Sequence, residues 1–199
     1  MPIVTLDDAA HAHPLADALL AGGISCVEVT LRTPAGIRAV ERLAAREELL
    51  VGAGTVVSAA QVDLAADAGA AFVVSPGLGL DVLERARERG LAVLPGVATP
   101  SEVQAAVLHG LERVKLFPAG VLGGLGLIDA IAGPFPRVSF MPSGGVSAAN
   151  LGAYLAHPAV FAAGCSWIAT RADIAAGRFD HIGALAAAAT SAVGTSVQG

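Results

Sequence analysis

A parallel α/β barrel in one compact domain, residues 1–199, is the fold this sequence predicts. Short apolar, β-branched runs recur with starts 20 to 25 residues apart. Helix-like stretches with start and stop signals lie between them, and no linker or shift of composition divides the chain. Eight such units in 199 residues fit a (β/α)8 TIM barrel at the small end of its usual range. A leucine-rich repeat has a similar period, but its Leu and Asn ladder is missing. An open doubly wound sheet lacks the G-x-G-x-x-G expected after its first strand.

The elements follow in order. Ile3–Leu6 reads as the first strand and Asp8–Ala21 as its helix. Cys26–Leu31 is the second strand, and Pro34–Arg46 a helix opened by Thr33-Pro34. Leu49–Gly52 and Ser58–Gly69, with Ser58 as the cap, make the third unit. Ala71–Ser75 with Leu80–Gly90 is the fourth. The fifth pairs Leu91–Leu94 with Pro100–Gly110, opened by Thr99-Pro100. Strands at Arg113–Phe117, Val138–Met141 and Val160–Ala163 complete the ring, with a helix over Ser147–Ala156 between the last two. Gly22, Gly69, Gly90 and Gly110 stand where a left-handed helix stop favours glycine.

Composition narrows the function. A net charge of −5 with no basic cluster gives no reason to expect nucleic acid or an anionic membrane as partner. Val138 to Thr170 contains no Asp, Glu, Lys or Arg, yet Gly144-Gly145, Asn150 and His157-Pro158 interrupt it. Those residues mark buried soluble structure rather than a membrane span. MPIVTLDD has neither a basic n-region nor a long apolar stretch, so a signal peptide is not expected. The only cysteines, Cys26 and Cys165, suit the free thiols of a reducing cytoplasm. His11, His13, His109, His157 and His181 form no metal-ligand pattern with one another or with carboxylates, so no metal is expected.

The informative residue is Lys115, the one lysine in a chain with eleven arginines. It lies inside RVKLFPAG, in an apolar run where a buried ammonium is costly unless something uses it. Alternation along a strand sorts its neighbours. In CVEVTLRTP, Val27, Val29 and Leu31 share the helix-facing side, which leaves Glu28, Thr30 and Arg32 pointing into the barrel. In RVKLFP, Val114 and Leu116 face outward while Lys115 and Phe117 point in. A carboxylate, a guanidinium and the lone amine therefore converge on one cavity. A merely structural Glu28–Lys115 pair fits the same geometry but adds little stability, because desolvation roughly offsets attraction.

The functional reading makes Lys115 a Schiff-base nucleophile, Glu28 a proton carrier and Arg32 a carboxylate clamp. Two turns add to it. Met141-Pro142-Ser143-Gly144-Gly145-Val146-Ser147 follows strand seven, and Gly164-Cys165-Ser166-Trp167 follows strand eight. Backbone N–H groups in these places are the usual phosphate site of the fold. Gly52-Ala53-Gly54-Thr55 ends strand three and brings the Thr55 hydroxyl to the same cavity. Ser75-Pro76-Gly77 and Leu94-Pro95-Gly96 shape the rim.

GGISCVEVTLRTP, VGAGTV, VVSPG, LPGVATPSE, VKLFPA, GPFPRVSFMPSGGVS and GCSWI run in order from Gly22 to Ile168. Taken together, they resemble the 2-keto-3-deoxy-6-phosphogluconate (KDPG) aldolase / 4-hydroxy-2-oxoglutarate (KHG) aldolase family. The resemblance implies a class I, cofactor-free lyase and a homotrimer. It also implies that Lys115 forms the Schiff base with pyruvate and that Glu28 is the acid–base residue. Arg32, Thr55 and Ser143 would hold the pyruvyl carboxylate, Gly144, Gly145 and Ser166 the distal phosphate, while Pro76 and Phe117 line the pocket. The implied substrate is a phosphorylated 2-keto acid cleaved to pyruvate and glyceraldehyde 3-phosphate. KHG, the galactonate-derived isomer, and a phosphosugar isomerase or synthase on the same barrel are the alternatives.

This chain departs from the family pattern in several places. It opens almost at the first strand, without the helix that commonly covers the barrel floor, and that strand reads Ile3-Val4-Thr5-Leu6-Asp7 where relatives often place a basic residue. Gly120 stands where Glu is common, Ser143 where Thr is common, and Cys165 where Gly is common.

Overall fold

The computed structural model describes residues 1–194, so the last five residues of the expected domain lie outside the described residues. The strands are β1 Ile3–Val4, β2 Cys26–Thr30, β3 Leu50–Gly54, β4 Phe72–Val74, β5 Ala92–Leu94, β6 Gly96–Val97, β7 Arg113–Leu116 and β8 Ser139–Pro142. Among them run helices α1 Ala12–Ala21, α2 Gly36–Ala44, α3 Ala59–Asp67, α4 Leu80–Glu88, α5 Pro100–Leu108 and α6 Leu125–Ala132. After β8 come α7 Leu151–Leu155, α8 Arg171–Ala175 and α9 Phe179–Gly194.

All the strand pairs are parallel, in the order β1-β2-β3-β4-β5 and β6-β7-β8. β5 and β6 form one stave broken at Pro95, which has no N–H to give the ladder. Its carbonyl still accepts from Lys115 N–H at 2.8 Å, tying β7 to that stave. The ring closes through single parallel bridges, Phe140 to Val160, Ser143 to Gly164 and Pro2 to Cys165. Phe161 N–H reaches Phe140 O at 3.2 Å and Ile3 N–H reaches Cys165 O at 2.9 Å. The strand expected over Val160–Ala163 is therefore a correction. It is a kinked stave held at spaced points out to Cys165, with Gly164 inside it.

Several boundaries move for visible reasons. Asp8 caps a short 3-10 turn, Ala9–His11, by accepting from Ala10 N–H at 2.8 Å, and α1 starts only afterwards. Thr33 does not cap α2, because its hydroxyl donates to Leu6 O across the loop. Ser58 and Thr99 cap as expected, Thr99 in a full capping box with Glu102. Ser147 does not start α7: Asn150 Oδ1 accepts from Ser147 N–H and Asn150 Nδ2 donates to Gly145 O, holding 145–150 as a turn. Gly69, Gly90 and Gly110 adopt positive φ as expected, but at the end of α1 it is Gly23, with φ 79°, and not Gly22. Gly22 serves packing instead, since a Cβ there would lie 2.4 Å from Ala186 Cβ of α9.

The core lies between the ring and the helices. Val27, Val29, Val114 and Leu116 are fully buried on the outward strand faces. Each such burial is worth about 1.5–3 kcal/mol, whereas a buried ion pair nets close to nothing. The outward faces hold the fold, and the inward faces are left for chemistry.

Candidate active site

β2 and β7 deliver the central pair. Lys115 Nζ lies 3.2 Å from Glu28 Oε1 and 3.4 Å from Oε2, across 87 residues of sequence. Both side chains are nearly sealed from solvent, Lys115 at 7% and Glu28 at 1% exposure. The Phe117 ring, just past the end of β7, has its centroid 5.4 Å from Lys115 Nζ. Burial raises the Glu28 pKa above the usual carboxylate value, against the lowering effects of the Lys115 charge and hydrogen bond and of the Arg32 charge. A carboxyl group so placed gives up its proton less readily than an exposed one, which suits a residue that must both take and return protons.

Arg32 extends past the end of β2 into the exposed rim, where its Nε donates to Thr55 Oγ1 at 3.1 Å. Thr55 has φ 59°, rare for a β-branched residue and worth about 1–3 kcal/mol of strain. Strain of this kind is tolerated where a side chain must be aimed, and here it aims the hydroxyl at the guanidinium.

The loops after β7 and β8 meet beside this pair. Ala119 N–H donates to Ser143 O and Gly120 N–H to Gly144 O, both at 2.8 Å. Gly144 and Gly145 have φ 80° and 88°. A Cβ on Gly145 would come within 2.9 Å of Gly120 Cα, so Gly120 packs directly against this turn. Ser143 is buried at the end of β8, and a Cβ on Gly144 would stand 3.3 Å from the Phe117 ring. Ser166 is exposed on the next loop, just after Cys165. Pro76 is exposed on the β4 rim, and its carbonyl oxygen would be 2.1 Å from a Cβ on Gly96.

The structure thus brings Glu28, Lys115 and Phe117 together, pairs Arg32 with Thr55, sets Gly144 beside Phe117, and ties Ser143 to β7 through its N–H to Leu116 O at 2.9 Å. No hydrogen bond joins Pro76 or Ser166 to them among the described residues. Two features escaped the sequence reading. Thr5 and Thr30 share a hydroxyl–hydroxyl bond at 2.8 Å on the inward side of β1 and β2, where relatives often have a base. Gly54 leaves the space in which Glu28 lies. A glycine inside a strand was the available signal for the second.

Two histidines elsewhere have structural partners. His157 Nε2 is 2.9 Å from Asp129, and the His11 ring tilts against Phe179. Both cysteines are free thiols, and burial raises both pKa values. Cys165 is buried in the core, whereas Cys26 is half-buried. A separate apolar cavity of about 610 Å³ opens at the N-terminal ends of the strands, lined by Cys26, Leu50, Phe72, Arg113 and Phe161 among others. It touches neither Glu28 nor Lys115. Among the described residues no group of three or more His, Cys, Asp or Glu could hold a metal ion, and no helix is long and apolar enough to cross a membrane.

The model of the KDPG and KHG aldolase family matches residues 1–185. A 2-dehydro-3-deoxy-phosphogluconate aldolase of Treponema pallidum is 43% identical over 197 residues, covering 98% of this chain and 93% of that protein. Among solved structures, the KDPG aldolase of Legionella pneumophila, with pyruvate captured as a covalent carbinolamine, superposes with a TM-score of 0.90. It is 38% identical, over 94% of this chain and 93% of that one. The enzyme of Zymomonas mobilis ZM4 with 3-phosphoglycerate gives a TM-score of 0.86 at 39% identity, over 96% of this chain and 91% of that one.

Proposed function

The chain belongs to the KDPG and KHG aldolase family, and from that premise we propose how its residues divide the work of a class I aldolase. The enzyme is a lyase that cleaves KDPG to pyruvate and glyceraldehyde 3-phosphate through a Schiff base. One observation carries the assignment of roles: the lone lysine is buried with its amine 3.2 Å from a buried carboxylate.

The Lys115 amine attacks the C2 ketone of the substrate, and Glu28 passes the protons that turn the carbinolamine into an iminium with loss of water. The iminium then accepts the electron pair of the C3–C4 bond as it breaks, while Glu28 takes the C4 hydroxyl proton and the aldehyde leaves. Protonation of the remaining enamine at C3 and hydrolysis release pyruvate and restore the amine. No metal is needed, because the iminium is itself the electron sink.

Arg32, aimed by Thr55 and assisted by Ser143, clamps the pyruvyl carboxylate. Phe117 and Pro76 line the pocket. The backbone N–H groups of Gly144 and Gly145, with Ser166, receive the distal phosphate. The reading extends to a cytoplasmic homotrimer, supported by the family resemblance and by the free thiols.

Steady-state cleavage of KDPG, its galactonate-derived isomer and KHG, measured side by side, tests the substrate assignment. We expect the highest kcat/KM on KDPG, with inorganic phosphate competing against the two phosphorylated substrates and not against KHG. Equal or faster cleavage of KHG, unaffected by phosphate, would remove the phosphate site from the account and leave KHG as the substrate.

A further inference from the structure

β3 presents a bare inward face. Its sequence Leu50-Val51-Gly52-Ala53-Gly54 alternates buried Val51 and Ala53 on the outside with glycine on the inside. A Cβ on Gly52 would fall 2.1 Å from the Phe72 ring, so that glycine makes way for the neighbouring strand. A Cβ on Gly54 would fall 2.3 Å from Glu28 Oε1, 2.5 Å from Cγ and 2.7 Å from Cδ. Gly54 is not among the positive-φ glycines, so no backbone conformation demands it there. What demands it is space, and the space is occupied by the Glu28 carboxylate.

We propose that Gly54 is a positioning residue, which acts by leaving the Glu28 carboxylate room to lie against β3 at hydrogen-bond distance from Lys115. The proposal rests on the role given to Glu28 above. Gly54 and Thr30 are register partners across β2 and β3, and Glu28 is two residues earlier on the same inward face of β2. Any side chain at 54 meets the carboxylate on one side while Lys115 holds it on the other, at 3.2 and 3.4 Å. The carboxylate must then shift relative to the amine. The three atoms nearest such a Cβ all belong to Glu28 and none to Lys115, whose backbone is held in β7 between β6 and β8.

The test is Gly54→Ala, alone and combined with changes at Glu28. A displacement of about 1 Å in a catalytic group can cost about 10²-fold, so we expect kcat to fall by about that factor with KM little changed. Pyruvate trapping on Lys115 should persist, and the acid limb of the pH–kcat profile should move. In the Glu28→Gln background, Gly54→Ala should lower kcat by no more than about twofold, because residues acting through one group are not additive. Wild-type kcat in Gly54→Ala, or a loss that multiplies in full with Glu28→Gln, overturns the proposal.

Melting temperatures cover the case in which Gly54→Ala folds poorly, and they need no activity. The loss of stability caused by Gly54→Ala should shrink markedly when introduced into Glu28→Ala, which removes the group the methyl meets. An equal loss in both backgrounds refutes the steric link. If instead the wild type fails to trap pyruvate on Lys115, the Schiff-base assignment fails while the melting comparison still judges Gly54.

Discussion

Lys115→Ala is expected to abolish aldol cleavage and to leave the chain folded. Both halves follow from the same geometry. The lone lysine provides the only side-chain amine, so its removal takes away the nucleophile and the electron sink formed from it. Removing one partner of a buried ion pair normally strands the other charge. Here the stranded group is Glu28, whose pKa burial already raises and which Lys115 pulls down. With Lys115 gone, the lowering effects that remain are those of Arg32 and the N-terminus, so burial pushes the Glu28 pKa further up and the neutral carboxyl is favoured over an unpaired charge more than in the wild type. The measurements are turnover by a coupled pyruvate assay, and circular dichroism with a melting curve. Turnover at the wild-type rate in a folded variant would sink the Schiff-base assignment.

Glu28→Gln should lower kcat by about 10²–10⁴, the usual share of general acid–base catalysis, while imine formation stays measurable. The amide keeps the shape and a hydrogen-bonding oxygen near Lys115 but cannot carry the proton. The pH dependence gives a second reading. As a base, Glu28 must be ionised to take the C4 hydroxyl proton, so activity is lost as pH falls through its pKa. That pKa is raised by burial, and the acid limb therefore begins at higher pH than an ordinary carboxylate would give. Glu28→Gln should remove this limb. A variant that unfolds, in a protein where Lys115 also proves dispensable, would make the pair structural.

How far this was legible in the sequence depends on whether a feature is local. Alternation in VEVTLR and VKLF was enough to turn Glu28 and Lys115 inward, because the outward Val27, Val29, Val114 and Leu116 had one apolar place to go. The Ser58 and Thr99 caps use a partner three residues away and read directly. Thr33 looked the same, but its hydroxyl found Leu6 O, 27 residues earlier, which only the closed ring brings near. Closure itself is a matter of neighbours: Val160 to Cys165 pairs at isolated points on both sides, so no continuous strand pattern marked its full course. α9 was missed because Leu185–Ala192 is rich in alanine and gives little contrast between faces, although Ala186 and Ala189 are buried. Gly54 and Thr5 are legible only once β1, β2 and β3 lie side by side.

The central claim is that Lys115 is the nucleophile, and the chain's amine content makes it directly measurable. Pyruvate with borohydride should reduce the imine to a stable secondary amine, one pyruvyl-derived group per chain. Besides the Lys115 side chain, the only primary amine in the 199 residues is the N-terminus of Met1. That terminal ammonium donates to Ala163 O at 2.9 Å, and Met1 lines the cavity at the N-terminal ends of the strands. Peptide mass mapping should place the adduct on the segment holding Val114-Lys115-Leu116, with inorganic phosphate leaving its yield unchanged. An adduct on Met1 alone, or none at millimolar pyruvate, would contradict the account and leave Lys115 a structural residue.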